Sequence, residues 1–295
     1  METITDYRFY GYAETNNIIT QLVDKYGIFL TKLPVGVSVC GRKIYCLKLG
    51  NSRESMLYVA SVHGNEYITT SVLLRFIEDM CYHLSIESEF CGINMNRALI
   101  TRSLYFVPML NPDGCEIALK GTDDPNLAEL CGGDFGSWKA NGRGVDINHN
   151  FAADWEKLKK IELSHGISSP TFGKYGGEYP CSEPETVALC TLCRLIKPRH
   201  VIALHTQGEE IYYGYRNKNT DEKRMAEIFA MTCGYTLSQP DYLSSCGGFK
   251  DWFCKTFHRP GFTFECGRGV NPLPQKDILP IYKKIRETLG IAAII

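Results

Sequence analysis

The sequence feature that most constrains the fold is a short apolar run, Met56 to Val62, that stops at His63 and is followed three residues later by Glu66. The run is rich in β-forming residues, and apolar residues at helical spacing follow it from Val72 to Met80. The stretch therefore predicts a strand, a turn and a helix. An imidazole and a carboxylate three residues apart on such a turn can both point at one metal ion.

Two later apolar runs end in residues of the same chemical types. Val201 to Leu204 is followed by His205, and Phe262 to Phe264 is followed by Glu265. Ligands of open α/β sheets bind beyond the carboxyl ends of the strands, so these strand-final side chains are expected to converge. A His-x-x-Glu spacing alone is more often a capping glutamate near a half-buried histidine, and it is the two later strands that favour a metal site.

Composition argues against several classes of function. The 32 Lys and Arg residues nearly balance 33 Asp and Glu residues, which gives no electrostatic case for binding nucleic acid or an anionic membrane. No apolar run has spanning length and no signal peptide is visible, so we expect a cytoplasmic protein, although a leader could have been removed. The 13 cysteines are odd in number and scattered, which favours reduced thiols. Nothing in the sequence predicts an oligomeric state.

Strands and helices alternate along the chain without a composition break or an internal repeat, which predicts one domain over residues 1–295. Two segments, 35–39 and 43–48, are typical of a hairpin at the edge of a sheet. Ser182 and Glu185 have the spacing of a capping box at the start of a helix. Asn111-Pro-Asp-Gly114 is a turn signal, and the polar segment from Trp138 to Phe151 indicates a binding surface.

Taken together, these motifs resemble the zinc carboxypeptidase family, the M14-like metallopeptidases. They follow the family's order over most of the chain and are jointly specific: His63-x-x-Glu66, Asn111-Pro-Asp-Gly114, Gly144-Val-Asp-Ile-Asn148, His205, and a Gly-Gly-x-x-Asp-Trp module before Glu265. The resemblance implies a three-layer α/β fold in which helices cover both faces of a mixed, twisted sheet. The segments around His205 and Glu265 look most like the bacterial γ-D-glutamyl-L-diamino-acid peptidases, which cut the γ-D-glutamyl–meso-diaminopimelate bond of cell-wall peptides.

The resemblance implies one Zn²⁺ per chain, held by His63, Glu66 and His205. Coordination to zinc lowers the pKa of water from about 15.7 towards about 7, which is about 12 kcal/mol of help in forming hydroxide. Glu265 would take the proton of this water and return it to the leaving amine. Asp146 would accept the second N–H of His63 and fix its tautomer, although a simple Asx turn would also explain this residue.

Lys139 stands where the family usually has an arginine that polarises the scissile carbonyl. A lysine can stabilise the developing negative charge as a point charge but cannot form the bidentate fork, and it could equally be a solvated surface residue. Asn148 and His149 stand where the exopeptidases have Asn-Arg to clamp the terminal carboxylate of the substrate. Without the guanidinium, a substrate whose carboxylates lie elsewhere, such as a γ-linked D-glutamyl peptide, is favoured.

Other residues are candidates for binding the carboxylates of such a substrate. Arg143, Arg216 and Arg268 lie in motif-bearing loops and could bind them, or could be solvated surface charges. Tyr242 precedes the Gly-Gly module at nearly the spacing of the family's mobile active-site tyrosine.

The leading functional hypothesis is a zinc metallopeptidase that hydrolyses the γ-D-glutamyl–meso-diaminopimelate bond in small murein peptides. The alternatives are a generic metallocarboxypeptidase, an amino-acid deacylase of the same fold, and a non-catalytic peptide-binding module. The complete ligand set and Glu265 argue against the last of these, because relatives that have lost activity usually lose one of these residues.

Overall fold

Eight strands form one mixed sheet in the computed structural model, which describes residues 3–215, 220–239 and 246–295. The strands are β1 Leu30–Val37, β2 Lys43–Leu49, β3 Glu54–Val59, β4 Arg102–Val107, β5 Val201–His205, β6 Glu210–Tyr213, β7 Thr236–Ser238 and β8 Gly261–Glu265. The helices are α1 Tyr12–Tyr26, α2 Ile68–Ser85, α3 Met95–Ala98, α4 Pro112–Lys120, α5 Pro125–Leu130, α6 Trp155–Ser164, α7 Pro184–Ile196, α8 Thr220–Cys233, α9 Phe249–Phe257 and α10 Ile278–Ala292. Within these ranges no helix combines the length and the apolar character that crossing a bilayer requires.

The strand order across the sheet is β1-β2-β4-β3-β5-β8-β6-β7. The four central strands, β4, β3, β5 and β8, are parallel, whereas β2 and β6 pair with them antiparallel on either side. Parallel strands bring their carboxyl ends to the same edge of the sheet, so the segments that follow β3, β5 and β8 meet there. His205 and Glu265, the last residues of β5 and β8, are direct neighbours in this register.

Helices cover both faces of the sheet because successive side chains of a strand point to opposite faces. In β3, Tyr58 packs in a buried cluster with Phe76 of α2, whereas Leu57 packs in a second cluster with Phe253 of α9. Each large apolar side chain buried in this way contributes about 1.5–3 kcal/mol to stability. The predicted α/β class, with a mixed sheet between two layers of helices, is confirmed.

Local predictions from the sequence are confirmed at some elements and wrong at others. The predicted edge hairpin is present as β1 and β2, which pair antiparallel. The prediction of a capping box is wrong. Glu183 rather than Ser182 directly precedes α7, and the Glu183 side chain makes no capping hydrogen bond. Ser182 Oγ instead donates to Glu183 Oε1 at 2.7 Å. The tetrapeptide at Asn111 begins α4, with the Asn111 side chain accepting from the backbone N–H of Gly114 at 2.9 Å.

A loop at residues 138–151 carries several predicted site residues to the sheet edge, and two buried asparagines anchor it. Asn141 Nδ2 donates to Glu183 Oε2 at 2.6 Å. Asn150 Nδ2 donates to Ser182 Oγ at 2.9 Å, and Asn150 Oδ1 accepts from the backbone N–H of Glu183 at 3.1 Å. The loop is therefore fixed against the start of α7 by polar contacts that are shielded from water.

Glu185, in the first turn of α7, is a buried carboxyl in the same region. Its Oε1 accepts from the backbone N–H of Val39 at 3.0 Å, and its Oε2 accepts from Asn141 Nδ2 at 3.3 Å. Burial raises the pKa of Glu185 to about 7, and the charge of Asp113 adds to the shift. The folded protein therefore keeps this carboxyl protonated at pH values where the unfolded chain ionises it.

We expect Glu185→Gln to gain stability relative to the wild type when the pH rises from 5 to 8. The carboxyl ionises near its usual pKa of 4.5 in the unfolded chain and only near 7 in the folded protein. Ionisation in that window favours unfolding and costs the wild type about 2–3 kcal/mol, whereas glutamine does not titrate. Denaturant unfolding of both proteins at the two pH values measures this difference.

The exposed Glu178→Gln serves as the control for the loss of a carboxylate. An equal response to pH in the wild type and in Glu185→Gln would contradict the prediction.

Candidate active site

Three potential metal donors meet at the carboxyl edge of the sheet. His63 directly precedes a 3-10 turn, Gly64–Glu66, that follows β3, and Glu66 is the last residue of that turn. His205 is the last residue of β5. His63 Nδ1 lies 2.9 Å from Glu66 Oε1, His205 Nδ1 lies 3.0 Å from Glu66 Oε2, and the two Nδ1 atoms are 3.2 Å apart. Among the described residues this is the group of His, Cys, Asp and Glu side chains whose spacing could hold a metal ion.

The chemistry and spacing of these donors fit zinc. Tetrahedral zinc with ligands at about 2.0–2.1 Å separates the ligand atoms by roughly 3.3 Å. The two Nδ1 atoms are 3.2 Å apart, and each faces one of the two oxygens of the Glu66 carboxylate. Burial alone would raise the pKa of Glu66, but the charges of His63 and His205 outweigh it and hold that pKa well below its usual range. The group therefore presents a carboxylate and two ring nitrogens to one point, which is the donor set of a His₂Glu zinc centre.

Asp146 fixes the orientation of His63. Its Oδ1 lies 3.3 Å from His63 Nε2, so the proton of the neutral ring belongs on Nε2 and Nδ1 faces the other donors. Asp146 Oδ1 also accepts from the backbone N–H of Asn148 at 3.0 Å, and its Oδ2 accepts from that of Lys174 at 3.0 Å. Asp146 therefore makes both of the predicted contacts: it closes an Asx turn with Asn148, and it faces the ring of His63. His205 has no equivalent support, because its buried Nε2 lacks a hydrogen-bond partner among the described residues.

Glu265 lies beside the donor group at the end of β8. It lines the same cavity as His63 and Glu66. Burial raises the pKa of Glu265 well above its usual value, and the negative charge of Glu66 adds to this effect, while His63 and Lys139 oppose it. A carboxyl whose pKa is moved towards neutrality can both accept and donate a proton at physiological pH.

The donor group opens into a cavity of about 560 Å³, a volume typical of a small-molecule site. Of the residues predicted from the sequence, the following line it: His63, Glu66, Lys139, Asp146, Asn148, His149 and Glu265. Asn148 Oδ1 accepts from the backbone N–H of Phe249 at 3.0 Å, which fixes its amide at the start of α9. His149 Nδ1 lies 2.9 Å from the backbone oxygen of Lys174, so Nδ1 is the donor in this contact.

The two described arginines among the candidates lie elsewhere. Arg143 Nε pairs with Glu183 Oε2 at 2.8 Å, and Arg268 Nε pairs with Glu209 Oε2 at 2.8 Å. Neither is among the residues that line the cavity. We therefore leave both out of the proposed substrate contacts. Arg216 and Tyr242 lie outside the described residues.

The cavity wall also contains residues that were not among the predicted site residues. Lys250 and Asp251, the latter the aspartate of the Gly-Gly-x-x-Asp-Trp module, lie in the first turn of α9. Lys174, Tyr212 and Thr263 are further examples. The sequence did hold one signal for the first two. Two charged residues interrupt the apolar positions at the start of α9, and their side chains are only 6% and 7% exposed.

Comparisons with known proteins agree with this geometry. A family model described as zinc carboxypeptidase, peptidase M14, matches residues 15–288. The gamma-D-glutamyl-L-diamino acid endopeptidase 1 of Lysinibacillus sphaericus is 36% identical over 290 residues, covering 96% of this chain and 71% of that protein.

Two solved structures share the fold. Bovine thrombin-activatable fibrinolysis inhibitor, in complex with tick carboxypeptidase inhibitor, aligns with a TM-score of 0.75 and 22% identity over 98% of this chain and 96% of that one. The murein-tripeptide amidase of Escherichia coli O157 aligns with a TM-score of 0.55 and 21% identity over 90% of this chain and 92% of that one. At these identities the likeness is one of fold alone.

We expect Asp146→Asn to weaken zinc binding about 10- to 100-fold, because the carboxylate that faces His63 Nε2 is lost while the shape of the side chain is kept. Competition for zinc with a chromophoric chelator measures the affinity without reference to activity. The exposed Asp123→Asn should bind zinc like the wild type. Unchanged affinity in Asp146→Asn would mean that this residue serves only the Asx turn.

Proposed function

The chain belongs to the zinc carboxypeptidase family, and we propose that within it this protein hydrolyses the γ-D-glutamyl–diamino-acid bond of peptidoglycan-derived peptides. The resemblance predicted from the motifs is confirmed, and the protein is a zinc metallopeptidase. The observation that carries the finer proposal is the 36% identity, over 96% of the chain, to an enzyme with this activity in its name. His149 follows Asn148 at the position where the exopeptidases have an arginine, and its ring is bound to the backbone oxygen of Lys174. The absence of the guanidinium agrees with a substrate whose carboxylates lie elsewhere.

We propose His63, Glu66 and His205 as the ligands of one zinc ion per chain. The support is the convergence of their donor atoms and the contact of Asp146 with the far nitrogen of His63. When bound, zinc lowers the pKa of a coordinated water and polarises the scissile carbonyl.

Glu265 is the proposed general base and acid. It takes a proton from the attacking water and delivers it to the nitrogen of the diamino acid as the amide bond breaks. The products are a γ-carboxylate on the D-glutamyl residue and a free amine on the diamino acid. The raised pKa of Glu265 supports this double role, because a strongly acidic carboxylate would accept the proton poorly.

Lys139 is the proposed stabiliser of the negative charge that develops on the carbonyl oxygen. It lines the cavity, and its charge acts to lower the pKa values of both His205 and Glu265, which supports this role. Asn148 and His149 line the same cavity and are proposed to contact the substrate. Asn148 Nδ2 is available as a donor because the oxygen of the same amide is held by Phe249.

We further propose that residues 1–295 act as one catalytic domain on small peptides in the cytoplasm. The family match over residues 15–288 and the single sheet support one domain. The described residues contain 13 cysteines and no disulfide, which suits a reducing compartment. The net charge of -1 gives no reason to expect a nucleic acid partner.

The zinc-loaded protein is expected to cleave L-Ala-γ-D-Glu-meso-diaminopimelate into L-Ala-D-Glu and free diaminopimelate, detected by mass spectrometry. Peptides ending in ordinary L-amino acids and N-acylated amino acids serve as the comparison panel, since they test the carboxypeptidase and deacylase alternatives. Turnover of either panel without cleavage of the γ-D-glutamyl peptide would overturn the proposed specificity.

Glu265→Gln is expected to lower kcat by roughly 10²–10⁴-fold, because the amide cannot transfer the proton, while zinc content stays at one per chain. Glu178→Gln is the control for the loss of a carboxylate, since Glu178 is exposed and does not line the cavity. Steady-state turnover together with metal analysis separates the two variants. Measurable turnover that is equal in Glu265→Gln and the wild type would overturn the role of Glu265, and no turnover in either would assign the protein to the non-catalytic binders.

A further inference from the structure

An exposed lysine on the cavity wall, Lys174, has a fixed backbone and no role in the proposed mechanism. Its N–H donates to Asp146 Oδ2 at 3.0 Å, and its oxygen accepts from His149 Nδ1 at 2.9 Å. Its φ angle of 73° lies in the left-handed region, which lysine rarely adopts. The two backbone contacts hold this conformation, so the side chain starts from a fixed point beside the carboxylate that faces His63.

The segment that leads to Lys174 packs against Lys139. The oxygen of Phe172 accepts from the backbone N–H groups of Lys139 and Ala140, at 2.7 and 2.9 Å. Gly173 lies against the stem of the Lys139 side chain, since a Cβ added to Gly173 would lie 3.2 Å from Lys139 Cβ. Lys139 and Lys174 therefore line the cavity from adjacent segments.

The charge of Lys174 is not balanced within the described part of the chain. Among the lysines that line the cavity there, Lys250 forms an ion pair with Asp251, and Lys139 is the proposed stabiliser of the carbonyl oxygen. No described carboxylate lies within salt-bridge distance of Lys174. An unpaired ammonium beside a reaction centre complements a negative group of the substrate.

The proposed substrate carries such a group close to the bond that breaks. D-Glutamate is linked through its side-chain carbonyl, so its α-carboxylate is free and a short aliphatic chain separates it from the scissile carbonyl. Lys139 is proposed to bind the oxygen of that carbonyl, and Lys174 follows the residue that packs on the Lys139 stem. The flexible four-carbon stem of Lys174 can bring its ammonium to the α-carboxylate.

We propose that Lys174 binds the α-carboxylate of the D-glutamyl residue, and so makes the enzyme prefer peptides in which this group is free over peptides in which it is amidated. This inference rests on the proposed function. The α-amide, D-isoglutamine, has nearly the same shape but no charge. An ammonium can donate to the amide oxygen, but that hydrogen bond is weaker than one to a carboxylate. Lys174 is a specificity residue here and transfers no proton.

Two peptides that differ only at this carboxyl test the inference, L-Ala-γ-D-Glu-meso-diaminopimelate and L-Ala-D-isoGln-meso-diaminopimelate. The zinc-loaded wild type should prefer the first by about 5- to 10-fold in kcat/KM, less than for a buried pair because Lys174 is exposed. Lys174→Met should reduce the preference to less than about twofold, with the change in KM. Lys174→Glu should invert it, because the carboxylate then faces a like charge.

Two further variants separate charge from structure. Lys174→Arg keeps the positive charge and should keep the preference. Lys276→Met removes an exposed lysine that does not line the cavity, and it should behave like the wild type. Because the backbone of Lys174 contacts Asp146 and His149, zinc content and thermal unfolding of each variant verify that the site is intact.

A third peptide identifies which carboxylate Lys174 faces. It is the same tripeptide with a free D-glutamyl α-carboxylate and with both carboxylates of the diaminopimelate amidated. Lys174→Met should lower kcat/KM for this peptide by the same factor as for the unmodified one. A loss on the unmodified peptide alone would assign Lys174 to the diamino acid and overturn the inference.

The remaining outcomes separate the inference from the proposed function. Equal kcat/KM of the wild type for the first two peptides, a preference for the amidated one, or a preference that persists in Lys174→Met would overturn the role of Lys174 and leave the proposed function intact. Cleavage of neither peptide by the wild type would overturn the proposed function, and this inference with it. A preference that is lost in Lys174→Met and kept in Lys174→Arg supports the inference.

Discussion

The convergence of two imidazole nitrogens and one buried carboxylate at the edge of a parallel sheet is the constraint on which the rest of the site depends. His63 and Glu66 follow β3, His205 ends β5 far along the chain, and the donor atoms of the three residues all lie within 4.8 Å of one another. Such a group is costly to desolvate, and a divalent cation satisfies all three donors at once. The parallel register of β3, β5 and β8 makes this possible, because it brings the three strand ends to one place.

Contacts with the backbone and with other polar side chains hold the 138–151 loop, which carries several polar groups of the site. Two residues of the 138–151 loop contact the backbone of Lys174. Its N–H donates to Asp146 Oδ2, and its oxygen accepts from His149 Nδ1. Asn141 and Asn150 fix the same loop against the start of α7. The loop therefore presents its side chains from a rigid support, which a catalytic geometry requires.

The sequence predicted the side chains that lie at the ends of strands. It did not predict the positions of side chains that depend on loops or on ion pairs. The apolar runs before His63, His205 and Glu265 predicted strands, and parallel strands must bring their ends together. The position of Arg143 could not be predicted in the same way, because it depends on the buried Glu183 that a distant segment places beside it. Lys250 was missed because a lysine in a helical pattern is normally solvated, and its burial follows from how α9 packs.

Zinc K-edge X-ray absorption of the purified protein tests the central claim most directly, because the chain offers 13 cysteines as competing ligands. We predict one zinc per chain with nitrogen and oxygen ligands at about 2.0–2.2 Å, two of them imidazoles, and no sulfur. Loss of this signal in His205→Ala would follow from the same account. A zinc–sulfur distance of about 2.3 Å, or an unchanged spectrum in that variant, would contradict it.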